Sequence, residues 1–384
     1  MPGFELVDNK EKEAVAEIFD SKSRFRMGKR VSLFEKKFSN YIGSKYAVMF
    51  SSGTAAIKAS LIACGIGKND EVITQSFTFI AVVEAIIDIG AIPIVVDIDD
   101  TLNMCTKNLE KSITKKTKAI MPVHMLGVAA DMDKINIIAK KYNLKIIDDN
   151  CESLGANWGS KKLGIQSDIC AWSFDNGKTI TTGEGGMITT NSYKIYKLCH
   201  EYRDHGHQNN PKLPRGKDTH RIPGFNFRPT ELNGALGISQ LQKINILLRD
   251  NKAKYLIYKK IFSKIKILEL RKIPSKCEPG YDCIIFNLPS KKIVEKVVKA
   301  MNQNNLITKN LPDAIEWHFA KYWDHLFKDF GYNKTTLKKK FLKSSEILEK
   351  SIAIPIFYNQ SISQVQQNAN LITKIINSIS LENN

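Results

Sequence analysis

No run of apolar residues in this chain approaches the ~20 that a membrane-crossing helix requires. The amino-terminal stretch MPGFELVDNKEKEAVAEIF has neither the basic start nor the apolar core of a secretory signal. A cytoplasmic protein without a membrane partner is the expectation. The seven cysteines (Cys64, Cys105, Cys151, Cys170, Cys199, Cys277 and Cys283) include no C-x-x-C pair. Their odd number and apolar neighbourhoods fit reduced, buried thiols, not a zinc site or a disulfide framework. Internal repeats and low-complexity tracts are also absent, which excludes solenoid and linker-like architectures.

What remains has the balance of a water-soluble globular protein, with 43% hydrophobic and 25% charged residues. At 384 residues the chain is too long for one ordinary core, so two domains are expected. The net charge of +18 raises the question of a nucleic-acid partner. Its distribution answers it: residues 251–384 hold 23 Lys and Arg against 11 Asp and Glu, in stretches such as TLKKKFLKSSEILEK. There lysines alternate with apolar residues at helical spacing, the pattern of a solvated amphipathic face. No helix-turn-helix, zinc finger or aromatic stacking motif accompanies the charge, so no nucleic-acid partner is expected. An anionic small substrate remains compatible with it.

Residues 1–45 read as helices with a turn at RMGKR. From YAVMFSSGTAAIKASLIACGIG onward the pattern changes, because apolar runs enter small-residue turns and then helices, as in DEVITQS, IPIVVDI, KAIMPVHML and KIIDDNC. Runs of Val and Ile that do not alternate with polar residues indicate strands buried on both faces. The expected class is therefore α/β, a mostly parallel sheet flanked by helices. A shift towards Lys and Ile places a larger domain at 1–250 and a smaller α+β domain at 251–384. Between His207 and about Arg228 runs a long segment with little periodicity, and loops of that length are usually functional.

Ligands in α/β sheets bind beyond the carboxyl ends of the strands. Three candidates fall there. In SSGTAAIKA, Ser52, Gly53 and Thr54 could offer backbone N–H groups and a helix N-terminus to a phosphate, or merely form a capped turn. In KIIDDNCESLGA, two carboxylates end an apolar strand, a costly placement unless a cation faces one of them. Asp149 could pair with a protonated ring nitrogen, although helix capping would also use such a residue. In SFDNGKTITTGEGGM, Lys178 follows a strand and precedes flexible glycines, where it could lose its proton and attack a carbonyl. Each has an ordinary explanation alone. Together they supply a phosphate cradle, an acid for a pyridinium nitrogen and an amine for an aldehyde, the requirements of pyridoxal 5'-phosphate (PLP).

The ordered motifs GKRVSLFEKKFSNYIGSKYAVMFSSGTAAIKA, PVHMLGVAADMDKI, DDNCESLGA, SFDNGKTITTGEGGM and GFNFRPTELNGALG make the first 250 residues resemble the DegT/DnrJ/EryC1/StrS aminotransferases. That resemblance implies a fold-type I PLP-dependent transferase with a seven-stranded sheet. It implies that Lys178 makes the Schiff base, Asp149 meets the pyridinium nitrogen, and Ser173 joins Gly53 and Thr54 at the phosphate. Phe79 matches the aromatic stacked on the ring. Glu152 stands beside the ring hydroxyl where relatives often carry Gln or His, and Gln75 departs from a frequent Pro. Asn226 matches a residue that reaches the phosphate of a neighbouring subunit, implying a homodimer with shared active sites.

The irregular loop resembles a segment that crosses between subunits, which would bring Arg215, Lys217 and Arg221 towards an anionic substrate. The resemblance further implies L-glutamate as amino donor and a keto- or aldehydo-sugar as acceptor, for cell-surface polysaccharide or lipopolysaccharide synthesis. DHGHQNNPKLPRGKDT and NLPDAIEWHFAKYWDHL look most like relatives that aminate an 8-oxo octulosonate. Two competing readings are a sugar dehydratase of the same family, a branch that carries His in place of the lysine, and a basic regulatory protein on an aminotransferase-like body.

Overall fold

The computed structural model describes residues 3–21 and 25–381. Its central sheet has seven strands: β1 (Tyr46–Phe50), β2 (Glu71–Gln75), β3 (Ile92–Val96), β4 (Thr117–Ile120), β5 (Lys145–Asp149), β6 (Ile169–Ser173) and β7 (Gly186–Thr190). They lie in the order β1-β7-β6-β5-β4-β2-β3. Only β7 runs antiparallel to its neighbours in this sheet; the other pairings are parallel. This is the mostly parallel, helix-flanked α/β sheet expected from the sequence.

Successive side chains of a strand point to opposite faces, and here each face has its own core. Val48 and Phe50 of β1 pack with Ile147, Ala171 and Ile188 and with the helix Gly53–Ala63. Ala47 and Met49 pack the other way, with Cys170, Trp172 and Met187, against Phe34 and Phe38 of the helix Lys29–Ile42. Both faces exclude water, which is why the strands read as continuous apolar runs.

The helix Glu231–Phe262 spans residue 250, the boundary proposed from composition, and is shared by two cores. Ile238, Leu241 and Ile244 lie beneath the large sheet. Tyr255, Tyr258 and Phe262 enter a second core built on three antiparallel strands, β8 (Glu269–Leu270), β9 (Cys283–Asn287) and β10 (Ser351–Pro355). The helices Lys291–Gln303 and Ile362–Leu381 cover that sheet with residues at helical spacing, among them Val294, Val298, Met301, Ile372 and Ile376. Between β9 and β10 the chain returns to the first core through Leu311, Phe319, Trp323 and Leu348. Backbone bonds seal the return: the N–H of Thr78 donates to the carbonyl of His318 at 2.9 Å, and that of Ile80 to Trp317 at 3.1 Å. Residues 309–318 are thereby laid beside the turn that follows β2.

The irregular loop after Tyr202 takes its shape from ion pairs in place of backbone periodicity. Asp204, fully buried, receives both arms of Arg215 at 2.6 and 2.7 Å and Arg228 at 2.7 Å. These guanidinium groups outweigh the cost of burial and hold its carboxyl well below the usual range. Buried Glu201 likewise receives Arg221 at 2.5 Å. Among the described residues no helix is long and apolar enough to cross a membrane. All seven cysteines are free.

Candidate active site

The parallel strands β2, β4, β5 and β6 end on one edge of the sheet, and the loops that follow them enclose a cavity of about 460 Å³. Its lining includes Gly53, Thr54, Phe79, Asp149, Glu152, Ser173 and Lys178. Seven residues singled out from separate sequence motifs therefore share one site. Arg215, Lys217, Arg221 and Asn226 do not line it. Arg215 and Arg221 are tied to Asp204 and Glu201 within this chain, while Lys217 and Asn226 are exposed on the loop. Within one chain these four are not brought to the cavity; a second chain would have to present them.

The cradle is set by two glycines. Ser52 caps the helix Gly53–Ala63, its Oγ accepting from the N–H of Ala55 at 3.1 Å, so the first turn's remaining N–H groups are left for a ligand. A side chain at Gly53 would bring its Cβ to 2.9 Å from Cβ of Ser173, filling the space between helix end and strand end. At Gly186 a Cβ would collide with the carbonyl oxygen of Ser52 at 2.1 Å. Only glycine lets β7 approach the capping turn this closely.

Asp149 ends β5 with 3% exposure. Its Oδ1 accepts from the N–H of Cys151 at 2.9 Å. Burial pushes its carboxyl above the usual range despite that bond, so a cation arriving in the cavity would restore the charged form. On the neighbouring turn Pro122 and His124 fix the strand end, Pro122 O accepting from Asp149 N–H at 2.9 Å and His124 N–H donating to Asp149 O at 3.1 Å. Gln75, the departure from Pro, lies fully buried. It ties the turn after β2 to its surroundings, its Nε2 donating to Phe77 O at 2.7 Å and its Oε1 accepting from Met104 N–H at 3.0 Å.

Lys178 lies in the connection between β6 and β7, with its N–H on Asp175 O at 3.0 Å and its carbonyl receiving Gly3 N–H at 2.8 Å. Its Nζ stands 3.6 Å from Glu152 Oε1. Burial works against the ammonium, but Glu152 and the neighbouring acidic groups win, and its pKa is raised. The free lysine is thus held charged, where the sequence suggested a readily deprotonated amine; the difference comes from Glu152. Glu152 in turn is driven down to about 2: burial opposes its charge, and Lys178, His318 and Lys309 overcome that penalty.

A pH-dependent consequence follows from the sign of this shift. A carboxyl whose pKa is lower folded than unfolded adds stability above its unfolded value and loses that contribution as pH falls through the folded one. For cofactor-free protein, the stability advantage of wild type over Glu152→Gln should be full above pH ~5 and should shrink between about 4.5 and about 2. Urea denaturation of both proteins across that range measures the gap. A gap that does not depend on pH contradicts the charged pairing.

The lining also takes Asp282, Lys309, Asn310 and His318, which were given no role from the sequence. The His318 ring lies 5.5 Å from that of Phe79 and its Nε2 is 3.9 Å from Glu152 Oε1. Lys309 Nζ pairs with Asp282 Oδ2 at 2.5 Å. These residues come from beyond the motif-rich region; Asn310 and His318 fall in NLPDAIEWHFAKYWDHL, whose resemblance assigned neither of them a role.

The arrangement suits PLP chemically. The helix N-terminus with Ser173 would take the phosphate, Asp149 the ring nitrogen, Phe79 a ring face and Lys178 the aldehyde. Comparison with known proteins gives the family and the fold. The pattern of the DegT/DnrJ/EryC1/StrS aminotransferase family matches residues 5–372. A GDP-perosamine synthase of Caulobacter vibrioides is 40% identical over 240 residues, a match spanning 62% of this chain and 63% of that one. Helicobacter pylori PseC, an aminotransferase involved in pseudoaminic acid biosynthesis, superposes with a TM-score of 0.86 at 25% identity over 97% of both chains. A GDP-4-keto-6-deoxymannose-3-dehydratase with a trapped PLP-glutamate geminal diamine superposes at 0.79, with 26% identity over 95% of this chain and 98% of that one.

Proposed function

Since the chain belongs to the DegT/DnrJ/EryC1/StrS aminotransferase family and has its fold-type I architecture, we propose that it moves an amino group from L-glutamate to the carbonyl of a keto- or aldehydo-sugar, using PLP. The observation that carries this reading is the convergence of Lys178, Asp149 and the Gly53 cradle on one cavity from three distant motifs. PLP, when bound, supplies an electron sink for the carbanion formed at the amino-bearing carbon. The remaining work belongs to the protein. Lys178 would anchor the cofactor's aldehyde, and its Nζ, when free, would carry the proton to and from the reacting carbon. Asp149 keeps the ring nitrogen protonated. Glu152 and His318 border the same space, and Glu152 supports the charge of Lys178 in the cofactor-free protein.

The cytoplasm is the proposed compartment, and a homodimer the proposed assembly. In it Asn226 of one copy would complete the phosphate site of the other, with Lys217 and its neighbours at the sugar. The acceptor is a nucleotide-linked keto-deoxysugar or an 8-oxo octulosonate; the perosamine synthase similarity supports the first, the DHGHQNNPKLPRGKDT loop the second. Lys178, in the position where the dehydratase branch has His, argues for transamination.

The test is direct. Protein loaded with PLP and given L-glutamate should convert its absorbance to that of the pyridoxamine form and release 2-oxoglutarate. Offering nucleotide-linked keto-sugars and a free octulosonate aldehyde, with product mass as readout, identifies the acceptor. An unchanged spectrum on donor addition would overturn the reading, and a product that has lost water without gaining nitrogen would favour dehydration.

A further inference from the structure

A substrate carboxylate entering this cavity must find a partner, because an unpaired buried charge is severely penalised. Among the described residues, the cavity lining contains no arginine. Its cationic candidates are Lys178, Lys309 and His318. Lys178 is the reacting amine and cannot also be a fixed partner. The Nδ1 of His318 lies 2.8 Å from the carbonyl of Ala314, which makes it the protonated nitrogen, and its Nε2 faces Glu152. The loop arginines Arg215 and Arg221 do not line this cavity within the chain.

Lys309 is placed differently. Its N–H donates to Ala353 O of β10 at 2.9 Å, and its carbonyl accepts from Leu311 N–H at 2.7 Å, so the tight turn rests on the small sheet. Asp282 Oδ2 steadies its Nζ. The next residue, Asn310, takes the left-handed conformation, φ 63°, which Asn tolerates better than most residues. It lines the cavity, and its Nδ2 is buried without a hydrogen-bond partner among the described residues. A buried amide donor left unmatched is uncommon and points to a missing acceptor. A lysine and an amide donor on adjacent residues match the two oxygens of one carboxylate. Glu152 and Asp282 border the same space, so without Lys309 this wall would repel an anion.

We infer that Lys309 and Asn310 form a carboxylate-binding pair for a substrate of the proposed transamination. This rests on the functional reading above and adds the specificity element on the small-sheet side. The carboxylate is either that of the amino donor or that of an acidic acceptor sugar.

The experiment uses the PLP-loaded enzyme and the variants Lys309→Gln, Asn310→Ala and the charge-balanced double variant Lys309→Gln/Asp282→Asn, the last guarding against a fold defect from a stranded Asp282. Calorimetric titration with 2-oxoglutarate reads donor-side binding without turnover. KM is then compared for L-glutamate, a free octulosonate and a nucleotide-linked keto-sugar lacking a carboxylate. Losing one charge-assisted contact should weaken the relevant carboxylate ligand by roughly 10- to 100-fold. Lys309→Arg should recover part of that loss. Weakening confined to 2-oxoglutarate and L-glutamate assigns the donor; weakening confined to the octulosonate assigns the acceptor. Carboxylate ligands bound within about twofold of wild type by every variant would overturn the inference. A wild type that gives no glutamate half-reaction would instead overturn the functional reading, and octulosonate binding would still test the pair.

Discussion

Lys178→Ala should abolish transamination, with a fall in kcat of more than about 10⁴. A placed general base alone typically contributes 10²–10⁴ in rate, and this substitution also removes the covalent anchor. It leaves Glu152 without the cation 3.6 Å from its Oε1, so some loss of stability is expected as well. Lys178→Arg separates the two effects. The guanidinium keeps a positive charge beside Glu152 but is too basic to serve as the nucleophilic amine. The Lys178→Arg variant should therefore melt near the wild-type temperature while remaining as inactive as the alanine variant in the glutamate half-reaction. Borohydride reduction of wild type followed by peptide mapping should place the label on Lys178 and should label neither variant. A label on another lysine, or an active Lys178→Ala, would remove the basis of the proposed mechanism.

The residues most legible in the sequence were those whose chemistry is written within a few neighbours. Gly53 and Thr54 follow a strand and open a helix, Asp149 ends an apolar run, and Lys178 precedes a cluster of glycines. Such places are where α/β sheets collect ligands, so the local pattern carried the spatial conclusion with it. The sheet was legible for the same reason, because its two-sided burial is visible as unbroken runs of Val and Ile. Lys309, Asn310 and His318 were not. They reach the cavity because the chain leaves the small sheet, packs Leu311 and Phe319 into the larger core, and closes on Thr78 and Ile80. That contact is between residues more than two hundred positions apart, and nothing in TKNLPDAIEWH marks it. The loop charges differ in another respect. Arg215 and Arg221 have the composition of an anion site, yet within one chain Asp204 and Glu201, 11 and 20 residues upstream, occupy them.

Asp149→Asn should lower kcat by about 10²–10³, the range found when one preorganised electrostatic group is removed from a water-poor site. The choice of asparagine decides what the result means. Its side-chain oxygen can still accept from Cys151 N–H, the 2.9 Å bond that fixes the carboxylate now, and its size leaves the packing of β5 unchanged. What disappears is the negative charge. Burial by itself disfavours that charge, so its presence is useful only when a cation faces it, and in the proposed mechanism the protonated ring nitrogen of PLP would be that cation. The neutral amide would leave the nitrogen without an anionic partner, lower its pKa, and weaken the ring as an electron sink. The substitution should therefore slow proton removal from glutamate more than it weakens PLP retention, which also depends on Lys178 and the Gly53 cradle. Single-turnover kinetics with α-deuterated glutamate give the first quantity and dialysis against PLP-free buffer the second. A slowed reaction with a larger isotope effect and near-normal retention is the expected pair of results. Rapid PLP loss with an unchanged rate in the loaded fraction would instead make Asp149 a binding residue only.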